Sequence, residues 1–412
     1  MKRTIGIIGG GAAGLMAAIT AAREGAQVTI LERNDRVGKK ILQTGNGKCN
    51  LGNRELSVEC YHGGDKTLIE SVLNRFTTED TIRFFQSIGL LIKEKNGYLY
   101  PVCEQASAVL DVLRYELKAL DVAIEYECKI QNIERLPSGR LCVSDGRKSR
   151  EFDAVIVTCG GKAAPGTGSD GSGWKLAKKL GHHCVAPVPA LVQLRCLETD
   201  VLKSIAGVRA DSMITVFCDG RKYCAERGEL QLTEYGISGI PVFQLSRTVN
   251  YLLRDRKNVF AQIDFLPELS IEEYEKLQAG RRLLQGERTA EEFFTGLLHK
   301  KLTSALLKLA GIKPATPMKE IPEEKIQYFY ALCRNFRLQI TESNPYENAQ
   351  VSAGGIDLSQ VEETMESRLC PGVYFAGEIL DVDGRCGGYN LQWAWSSGYL
   401  AGCHAAGKEE QA

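Results

Sequence analysis

The chain has 412 residues, of which 51 are Lys or Arg and 51 are Asp or Glu, so its formal net charge at pH 7 is zero. This length exceeds what one compact core usually holds and predicts two or three domains. The balanced charge argues against a dedicated nucleic-acid-binding protein. No apolar run reaches the length of a membrane span, and glycines interrupt the first apolar stretch, which is not typical of a signal peptide. We therefore expect a cytoplasmic protein without membrane association.

The first 32 residues follow the order strand, glycine-rich turn, helix, strand and acidic residue. An apolar strand precedes Gly9-x-Gly11-x-x-Gly14, and the strand after the helix ends on Glu32. This is the dinucleotide-binding fingerprint in its full context. Gly9 permits the tight turn, Gly11 lets a pyrophosphate approach the backbone, and Gly14 lets the helix pack on the strand. Glu32 can accept hydrogen bonds from both ribose hydroxyls and would repel a 2′-phosphate, so we predict an ADP moiety without one.

A second glycine-rich segment, residues 38–50, follows the nucleotide strand closely. It is not a Walker A loop, because Leu42 stands where the first Gly should be and Cys49 replaces the Ser or Thr. Its lysines and its backbone N–H groups favour a role in wrapping a cofactor over that of a plain surface loop.

From this segment to residue 158 the pattern predicts helices and short strands. The last strand, 152–158, is apolar at its centre and would lie in mid-sheet, with Cys159-Gly160-Gly161 near the nucleotide. The earlier elements are two helices in 65–89, the second starting at Thr77 or Thr78, a hairpin at 90–101 turning at Asn96-Gly97, a helix at 106–120, and strands at about 123–133 and 141–144.

A second G-x-G-x-x-G, formed by Gly166, Gly168 and Gly171, precedes a predicted helix at 174–180. The strand before it ends too early, at Thr158, and no strand tipped by an acidic residue follows. We therefore interpret it as a glycine-rich loop rather than a second dinucleotide fold. Any nicotinamide donor would then bind only transiently.

The pattern changes after Pro187. Alternating strands at 191–265 predict a β-rich inserted domain, which includes a turn at 236–241. Residues 267–334 are helical in pattern and locally basic, which indicates solvated helix faces or, alternatively, a lid or docking surface.

The C-terminal part returns to cofactor-like motifs. A strand at 373–376 ends in Gly377-Glu378, and the pair Gly387-Gly388 opens a helix of small residues at 391–406. The acid can hold a ribitol hydroxyl, and the helix N-terminus near Asn390 can face the electron-rich edge of a flavin ring. This pattern assigns the dinucleotide as FAD.

Together these motifs resemble the single-Rossmann FAD flavoproteins that include aminoacetone oxidase and BaiN, and more distantly the fumarate-reductase side of FAD enzymes. The likeness spans nearly the whole chain, although Lys48 stands where the family usually has Arg and Cys386 where it usually has Thr. The resemblance implies an α/β fold in which a Rossmann-like FAD-binding domain, built from both chain ends, carries an inserted β-barrel-like domain and a small helical subdomain. The corresponding bounds are 1–187 with 341–412, 188–268 with about 335–340, and 269–334.

The predicted cofactor-binding residues lie in or beside the glycine-rich segments. They are Gly9, Gly11, Ala12, Ala13, Gly14, Glu32, Arg33, Lys39, Lys40, Thr44, Gly45, Gly47, Lys48, Cys49, Asn50, Ile130, Cys159, Gly160, Gly161, Gly377, Glu378, Asp383, Gly388, Tyr389, Asn390 and Leu391. No catalytic acid or base is carried over from the family. Arg385 and Tyr389 are candidates because they lie beside the flavin-facing glycines, and support of the loop is the alternative role for both.

Fourteen cysteines are scattered along the chain, without a Cys-x-x-Cys pair or the spacing of a zinc site, and no metal is predicted. We expect reduced thiols that are mostly small buried side chains. Cys49, Cys159 and Cys386 lie in glycine-rich motifs, so the sequence leaves a redox role for them open.

The leading hypothesis is a flavin-dependent oxidoreductase in which N5 of FAD exchanges hydride with a small organic substrate. In its first version, NAD(P)H supplies the electrons and an enone such as a 3-oxo-4-ene bile acid or steroid is reduced. The alternatives are an amine oxidase of the aminoacetone type that uses O2, a tRNA-modifying flavoprotein, and a flavin-bearing scaffold without turnover. A small-molecule substrate and no nucleic acid are expected as partners, and the oligomeric state is not predicted.

Overall fold

The computed structural model describes residues 2–408, except the side chains at 271, 275, 277 and 283. Its strands are β1 (Thr4–Ile8), β2 (Gln27–Leu31), β3 (Gly52–Asn53), β4 (Tyr61–Gly63), β5 (Ile92–Lys95), β6 (Tyr98–Pro101), β7 (Ala123–Glu125), β8 (Asn132–Arg135), β9 (Leu141–Ser144), β10 (Ser149–Phe152), β11 (Ala154–Val157), β12 (Cys184–Ala190), β13 (Leu194–Cys196), β14 (Arg209–Cys218), β15 (Arg221–Thr233), β16 (Gly236–Ser238), β17 (Val259–Asp264), β18 (Phe336–Ser343), β19 (Val351–Ile356), β20 (Val373–Phe375) and β21 (Val382–Gly384). Its α-helices are α1 (Ala12–Arg23), α2 (Lys66–Arg75), α3 (Thr78–Ser87), α4 (Ala106–Ala119), α5 (Ser172–Lys179), α6 (Thr199–Ile205), α7 (Ile240–Arg254), α8 (Ile271–Gln285), α9 (Ala290–Phe294), α10 (Lys300–Leu309), α11 (Glu323–Arg334) and α12 (Tyr389–Ala405).

The chain divides into two compact units, one formed by Met1–Val188 with Gln350–Ala412 and the other by Pro189–Ala349. The first unit is built on a five-stranded parallel sheet with the order β20-β11-β1-β2-β7. Because β20 from the C-terminal part pairs with β11, both ends of the chain contribute to one sheet. The predicted α/β fold class is confirmed.

Parallel strands place their carboxyl ends at one edge of a sheet, and ligands of open α/β sheets bind there. In this sheet, Gly9 follows β1, Glu32 follows β2, Thr158 follows β11 and Gly377 lies just beyond β20. The sheet topology therefore brings the N-terminal fingerprint and the C-terminal Gly-Glu pair to the same edge.

Helix α1 lies close to α12, and glycines of α12 make this approach possible. A Cβ atom added at Gly398 would lie 2.5 Å from the carbonyl oxygen of Ala13, and one at Gly402 would lie 2.6 Å from that of Ala17. Any larger residue at these two positions would force the helices apart.

Two local predictions are confirmed in detail. Thr77 caps α3 in a capping box, since its hydroxyl accepts from the amide of Asp80 and the Asp80 carboxylate accepts from the amide of Thr77. β5 and β6 form the predicted hairpin, which turns at Asn96 and Gly97 with φ of 52° and 81°.

Two strand predictions near the sheet were inaccurate. The strand expected at 152–158 is interrupted at Asp153, whose carboxylate accepts from the amide of Thr4 at 2.7 Å and from its hydroxyl at 2.8 Å. β10 therefore belongs to the antiparallel sheet β10-β9-β8, and only β11 enters the parallel sheet. The strand expected at about 123–133 likewise divides into β7 and β8, with Glu127 in a left-handed conformation between them.

The second unit contains a closed barrel with the strand order β13-β16-β15-β14-β17-β18. The turn predicted at 236–241 is wrong, because Gly236–Ser238 forms strand β16 and Gly239 begins α7. Helix α7 was missed, since its apolar residues were counted as part of a β-rich segment. Barrel strands and helices α8–α11 bury their apolar side chains in one cluster, so the division into barrel and helical parts stays a prediction.

Within residues 2–408 no helix is long and apolar enough to cross a membrane, and no cluster of His, Cys, Asp and Glu is suited to hold a metal ion.

Arg150 joins the antiparallel sheet to the edge of the parallel one. Its guanidinium contacts Glu125 at 2.6 Å and Asp145 at 3.1 Å, and its side chain is only 10% exposed. We expect Arg150→Met to lower the free energy of unfolding by about 2 kcal/mol, because two charge-assisted hydrogen bonds are lost and two carboxylates are left without their cation. Urea unfolding measures this change.

The matched control is Arg209→Met, which removes an exposed pair with Glu229 in the other unit. Exposed pairs contribute about 0–1 kcal/mol, so this variant should unfold close to the wild-type midpoint. Equal losses in both variants would contradict the structural role given to Arg150.

Candidate functional site

The glycine-rich turn after β1 has the geometry that the fingerprint requires. Gly9 has φ of +103°, and a Cβ atom added there would lie 2.8 Å from the Thr158 carbonyl oxygen. A Cβ atom at Gly14 would lie 2.0 Å from the Gly9 carbonyl oxygen, whereas one at Gly11 would meet no described atom within 4 Å. Packing therefore requires Gly9 and Gly14, while Gly11 leaves open the space in which a pyrophosphate would approach the N-terminus of α1.

Glu32 is held rigidly at the end of β2. Its residue is 6% exposed, and its two carboxylate oxygens accept from the amides of Gly10 and Asn34, each at 2.8 Å. Each oxygen keeps a further lone pair, so the carboxylate is oriented and can still accept ribose hydroxyls. These residues fit the adenosine half of a dinucleotide.

The glycine-rich loop 166–171 lies beside this strand end. Arg33 forms an ion pair with Asp170, and the Asn34 side chain donates to the carbonyl oxygen of Thr167 at 3.0 Å. Burial raises the pKa of Asp170, but hydrogen bonds from Ser172 and Arg33 outweigh it and hold the pKa below its usual value. The loop is thus fixed against the residues that follow β2.

Lys40 and Glu378 connect the two glycine-rich ends of the chain. Lys40 Nζ lies 2.6 Å from one carboxylate oxygen of Glu378, and the other oxygen accepts from the amide of Ser352 at 2.9 Å. Lys39 similarly pairs with Asp35 at 2.6 Å. Since both lysines have carboxylate partners, attraction for phosphate falls mainly to backbone N–H groups and the helix dipole.

The segment 41–50 contains residues that point inward and residues that point outward. Lys48 contacts Glu104 at 2.7 Å on the surface, and the pKa of that carboxyl falls to about 2 beside Lys48 and Lys93. The Thr44 hydroxyl donates to the carbonyl oxygen of Ile41 at 2.7 Å. The Lys48 and Thr44 side chains are thus engaged by Glu104 and the Ile41 carbonyl oxygen, and their role in cofactor binding stays a prediction. Gly45 and Gly47 adopt left-handed conformations that shape the backbone.

A second part of the candidate site is formed by β20, β21 and the start of α12. The Gly377 amide donates to Ser397 Oγ at 2.9 Å, and its carbonyl oxygen accepts from Trp393 Nε1 at 3.2 Å. Gly388 begins α12 with φ of +95° and provides no side-chain cap. The Asn390 side chain exchanges two hydrogen bonds of 2.8 Å with the backbone of Gly384, which ties the start of α12 to β21.

The Tyr389 side chain is buried and contacts Glu55 and Tyr61. Its hydroxyl donates to the Glu55 carbonyl oxygen at 3.3 Å. Its ring packs edge-to-face against that of Tyr61, with the two ring centroids 5.9 Å apart. The pKa of Tyr389 is raised well above its usual value, chiefly by burial and secondly by a hydrogen bond with Cys60. Both features favour the supporting role over that of a proton donor. For Arg385 the structure fixes the backbone, whose amide donates to the Cys60 carbonyl oxygen at 2.9 Å.

The remaining predicted residues can be grouped by their place in the fold. Cys159, Gly160 and Gly161 follow β11, and a Cβ atom at Gly161 would lie 2.7 Å from a Glu378 oxygen. Ile130 is buried between β7 and β8. The structure brings one set to the carboxyl edge of the parallel sheet: Gly9, Gly11, Ala12, Ala13, Gly14, Glu32, Arg33, Lys40, Cys159, Gly160, Gly161, Gly377 and Glu378. Another set is gathered around β3, β21 and the start of α12: Cys49, Asn50, Asp383, Gly388, Tyr389, Asn390 and Leu391.

The three cysteines of the glycine-rich motifs are poor nucleophiles. Burial raises the pKa of Cys49 to about 12 and that of Cys159 also to about 12, and it raises the pKa of Cys386. Protonated thiols of this kind react slowly, which weighs against a redox role.

Ser352 and Ser397 contact residues of the candidate site and were missed from the sequence. Ser352 Oγ accepts from the amides of Lys162 and Ala163 at 2.8 and 3.0 Å, which holds the loop after β11 in place. A lone serine in a glycine-rich segment carries no signal of its own, so only the tertiary structure identifies these residues.

The sheet order and the glycine geometry define a Rossmann-like fold of the FAD-binding type, whose parallel sheet is built from both ends of the chain. The chain belongs to the HI0933-like family, whose Rossmann-domain model matches residues 3–404. The resemblance inferred from the motifs is thereby confirmed.

Two relatives and one solved structure illustrate the range of similar proteins. The chain is 43% identical over 405 residues to the 3-dehydro-bile acid delta(4,6)-reductase of Clostridium scindens, covering 98% of each. It is 31% identical over 400 residues to the ribosomal RNA dihydrouridine synthase of Haemophilus influenzae, covering 95% of this chain and 96% of that one. The 3-ketosteroid delta1-dehydrogenase of Sterolibacterium denitrificans superposes with a TM-score of 0.50 at 11% identity, covering 99% and 100%, and shows the fold alone.

Substitutions of Gly11 and Gly14 separate binding from folding. Gly11→Ala adds a methyl group where no described atom lies within 4 Å, so we expect a normal unfolding midpoint but much less bound FAD. Gly14→Ala places the same group 2.0 Å from a carbonyl oxygen, so we expect it to lower the free energy of unfolding by about 2 kcal/mol as well.

Flavin absorbance after gel filtration and thermal unfolding of the FAD-free protein measure the two effects. Full retention of FAD by Gly11→Ala would contradict the placement of the pyrophosphate beside Gly11.

Proposed function

We propose that this chain is an FAD-dependent reductase of a carbon–carbon double bond conjugated to a carbonyl group. The proposed substrate class is a 3-oxo-4-ene bile acid or related steroid, and the proposed electron donor is NAD(P)H. The observation that carries the proposal is the 43% identity, over 98% of both chains, to a reductase of this chemistry.

The site residues support binding of FAD. The backbone at Gly11 and the N-terminus of α1 would meet the pyrophosphate, and Glu32 would accept the adenosine ribose hydroxyls. Glu378, fixed by Lys40 and Ser352, is in reach of the loop after β11 and would hold the ribitol. When bound, FAD supplies a hydride donor and a two-electron store. The helix start at Gly388 would place backbone N–H groups against the ring edge.

NAD(P)H is proposed as a transient donor. The second G-x-G-x-x-G segment is occupied by contacts with Arg33 and Asn34. These contacts favour a role for this segment in shielding the first nucleotide site over a role as a second dinucleotide site.

A second candidate is reduction of a uracil base in RNA, favoured by the 31% identity to a ribosomal RNA dihydrouridine synthase. The 5,6-double bond of uracil is conjugated to a carbonyl, so the same hydride chemistry would serve both substrates. The net charge of zero weighs against this candidate, because RNA binding draws on clustered positive charge.

The deciding experiment starts from protein whose flavin has been reduced under anaerobic conditions by NADH or NADPH. Addition of a 3-oxo-4-ene bile acid should restore the absorbance of oxidised flavin, whereas the saturated 3-oxo analogue should not. An unchanged spectrum with the enone would overturn the proposal. Reoxidation by a ribosomal RNA fragment alone would favour the second candidate, and peroxide release from aminoacetone in air would favour an amine oxidase.

The position of Tyr389 generates a separate prediction. Tyr389→Phe removes a hydroxyl that donates to the Glu55 carbonyl oxygen, so we expect a stability loss of about 1 kcal/mol. We expect turnover to fall far less than the roughly hundredfold loss caused by removing a general acid. Steady-state kinetics tests this, with Tyr115→Phe, at an exposed position, as the control. A hundredfold loss in Tyr389→Phe would assign proton transfer to Tyr389.

A further inference from the structure

A polar face lies on the two-stranded sheet formed by β4 and β21. The strands are antiparallel, with Asp383 directly opposite His62 and Gly384 opposite Tyr61. Since successive side chains point to opposite faces, His62 and Asp383 share one face, and their Cβ atoms are about 5 Å apart. The other face is packed against the core, where Tyr61 is 0% exposed.

Two further charged residues extend this polar face. Asp381 and Arg385 lie two positions before and after Asp383, and the Arg385 amide continues the ladder by donating to the carbonyl oxygen of Cys60. Asp381 and Asp383 are 6% and 3% exposed, whereas His62 is half-buried. Buried carboxylates are costly unless hydrogen bonds or cations compensate them, and His62 and Arg385 are the basic residues that this strand pairing brings to the same face.

Hydrogen bonds connect the polar face to the start of α12, which we propose lies beside the flavin ring. Asn390, in the first turn of α12, bonds both the amide and the carbonyl oxygen of Gly384 at 2.8 Å. β21 therefore ends at the helix start assigned to the flavin ring edge, and only Arg385, Cys386 and Gly387 separate it from Gly388.

Reduction of an enone needs a proton donor in addition to the hydride donor. The Tyr389 hydroxyl is used by the Glu55 carbonyl oxygen, and Lys40 is paired with Glu378. Burial also keeps the Cys49 and Cys159 thiols in their neutral form. None of these groups is a good proton source, whereas an imidazole beside a carboxylate is one at neutral pH.

We propose that His62 delivers the proton to the α-carbon of the substrate and that Asp383 is its positioning residue. The assignment rests on the proposed function. After hydride adds at the β-carbon, the electron pair of the double bond forms a C–H bond at the α-carbon while an N–H bond of the His62 imidazolium breaks. Asp383 fixes the orientation of the His62 imidazole ring. The half-buried His62 then regains a proton from water.

Other titratable groups lie on the elements packed around this pair. They are Asp381 and Arg385 beside β21, Cys60 before β4, Asp65, Lys66, Glu70 and Arg75 in and before α2, and Tyr389 and His404 of α12. Lys66 Nζ donates hydrogen bonds to the carbonyl oxygens of Val58 and Tyr61.

The test measures reoxidation of anaerobically reduced FAD-loaded enzyme by a 3-oxo-4-ene bile acid between pH 5.5 and 9. In the wild type, we expect the rate to fall as pH rises and the imidazolium loses its proton. His62→Gln should slow this step about 100-fold or more and abolish its pH dependence, while flavin content and reduction by NAD(P)H are unchanged. Asp383→Asn should move the fall in rate to lower pH, because the protonated ring loses its carboxylate.

His183→Gln is the matched control, since His183 faces Asp357 at 3.5 Å on the surface of the same unit and should behave as wild type. Wild-type rates and pH dependence in His62→Gln would overturn the assignment and leave the proposed function standing. Loss of FAD from His62→Gln would also overturn it, because a structural role would then account for the variant. A wild-type enzyme that the enone does not reoxidise would instead refute the proposed function.

Discussion

The close packing of α1 between β1 and α12 is the constraint on which the site depends. On one side, a Cβ atom at Gly14 would lie 2.0 Å from the Gly9 carbonyl oxygen, and on the other, a Cβ atom at Gly398 would lie 2.5 Å from the Ala13 carbonyl oxygen. Because no side chain intervenes on either side, the N-terminus of α1 reaches the carboxyl edge of the sheet. The same contact holds the C-terminal helix there, so two chain segments separated by more than 350 residues share one site.

Charges around this site are satisfied mainly by one another. Lys40 pairs with Glu378, Arg33 with Asp170, and both oxygens of Glu32 receive backbone amides. A cofactor's phosphates would therefore be met mainly by helix N-termini and backbone N–H groups, whose orientation does not depend on flexible side chains. Glu32 and Glu378, each oriented before any ligand arrives, are suited to recognise hydroxyl groups.

The parts of the site that local sequence predicts are those governed by backbone conformation. Gly9, Gly11 and Gly14 were identifiable because a tight turn, an open approach and a helix–strand contact each exclude a side chain. The capping box at Thr77 and the turn at Asn96-Gly97 are local in the same sense. The partners of the Lys48 and Thr44 side chains, Glu104 and the Ile41 carbonyl oxygen, could not be read from a glycine-rich pattern.

The sequence by itself determined the fold class, the dinucleotide fingerprint and the boundaries of some elements, such as β9 and α4, because these follow from periodicity, capping and glycine conformations within a few residues. Only the tertiary structure decided that β20 lies beside β11, that Asp153 ends one strand and starts another, and that His62 lies opposite Asp383. Each of these depends on which distant segments meet. Strand pairing between distant segments is fixed by the burial of whole faces, which no local pattern encodes.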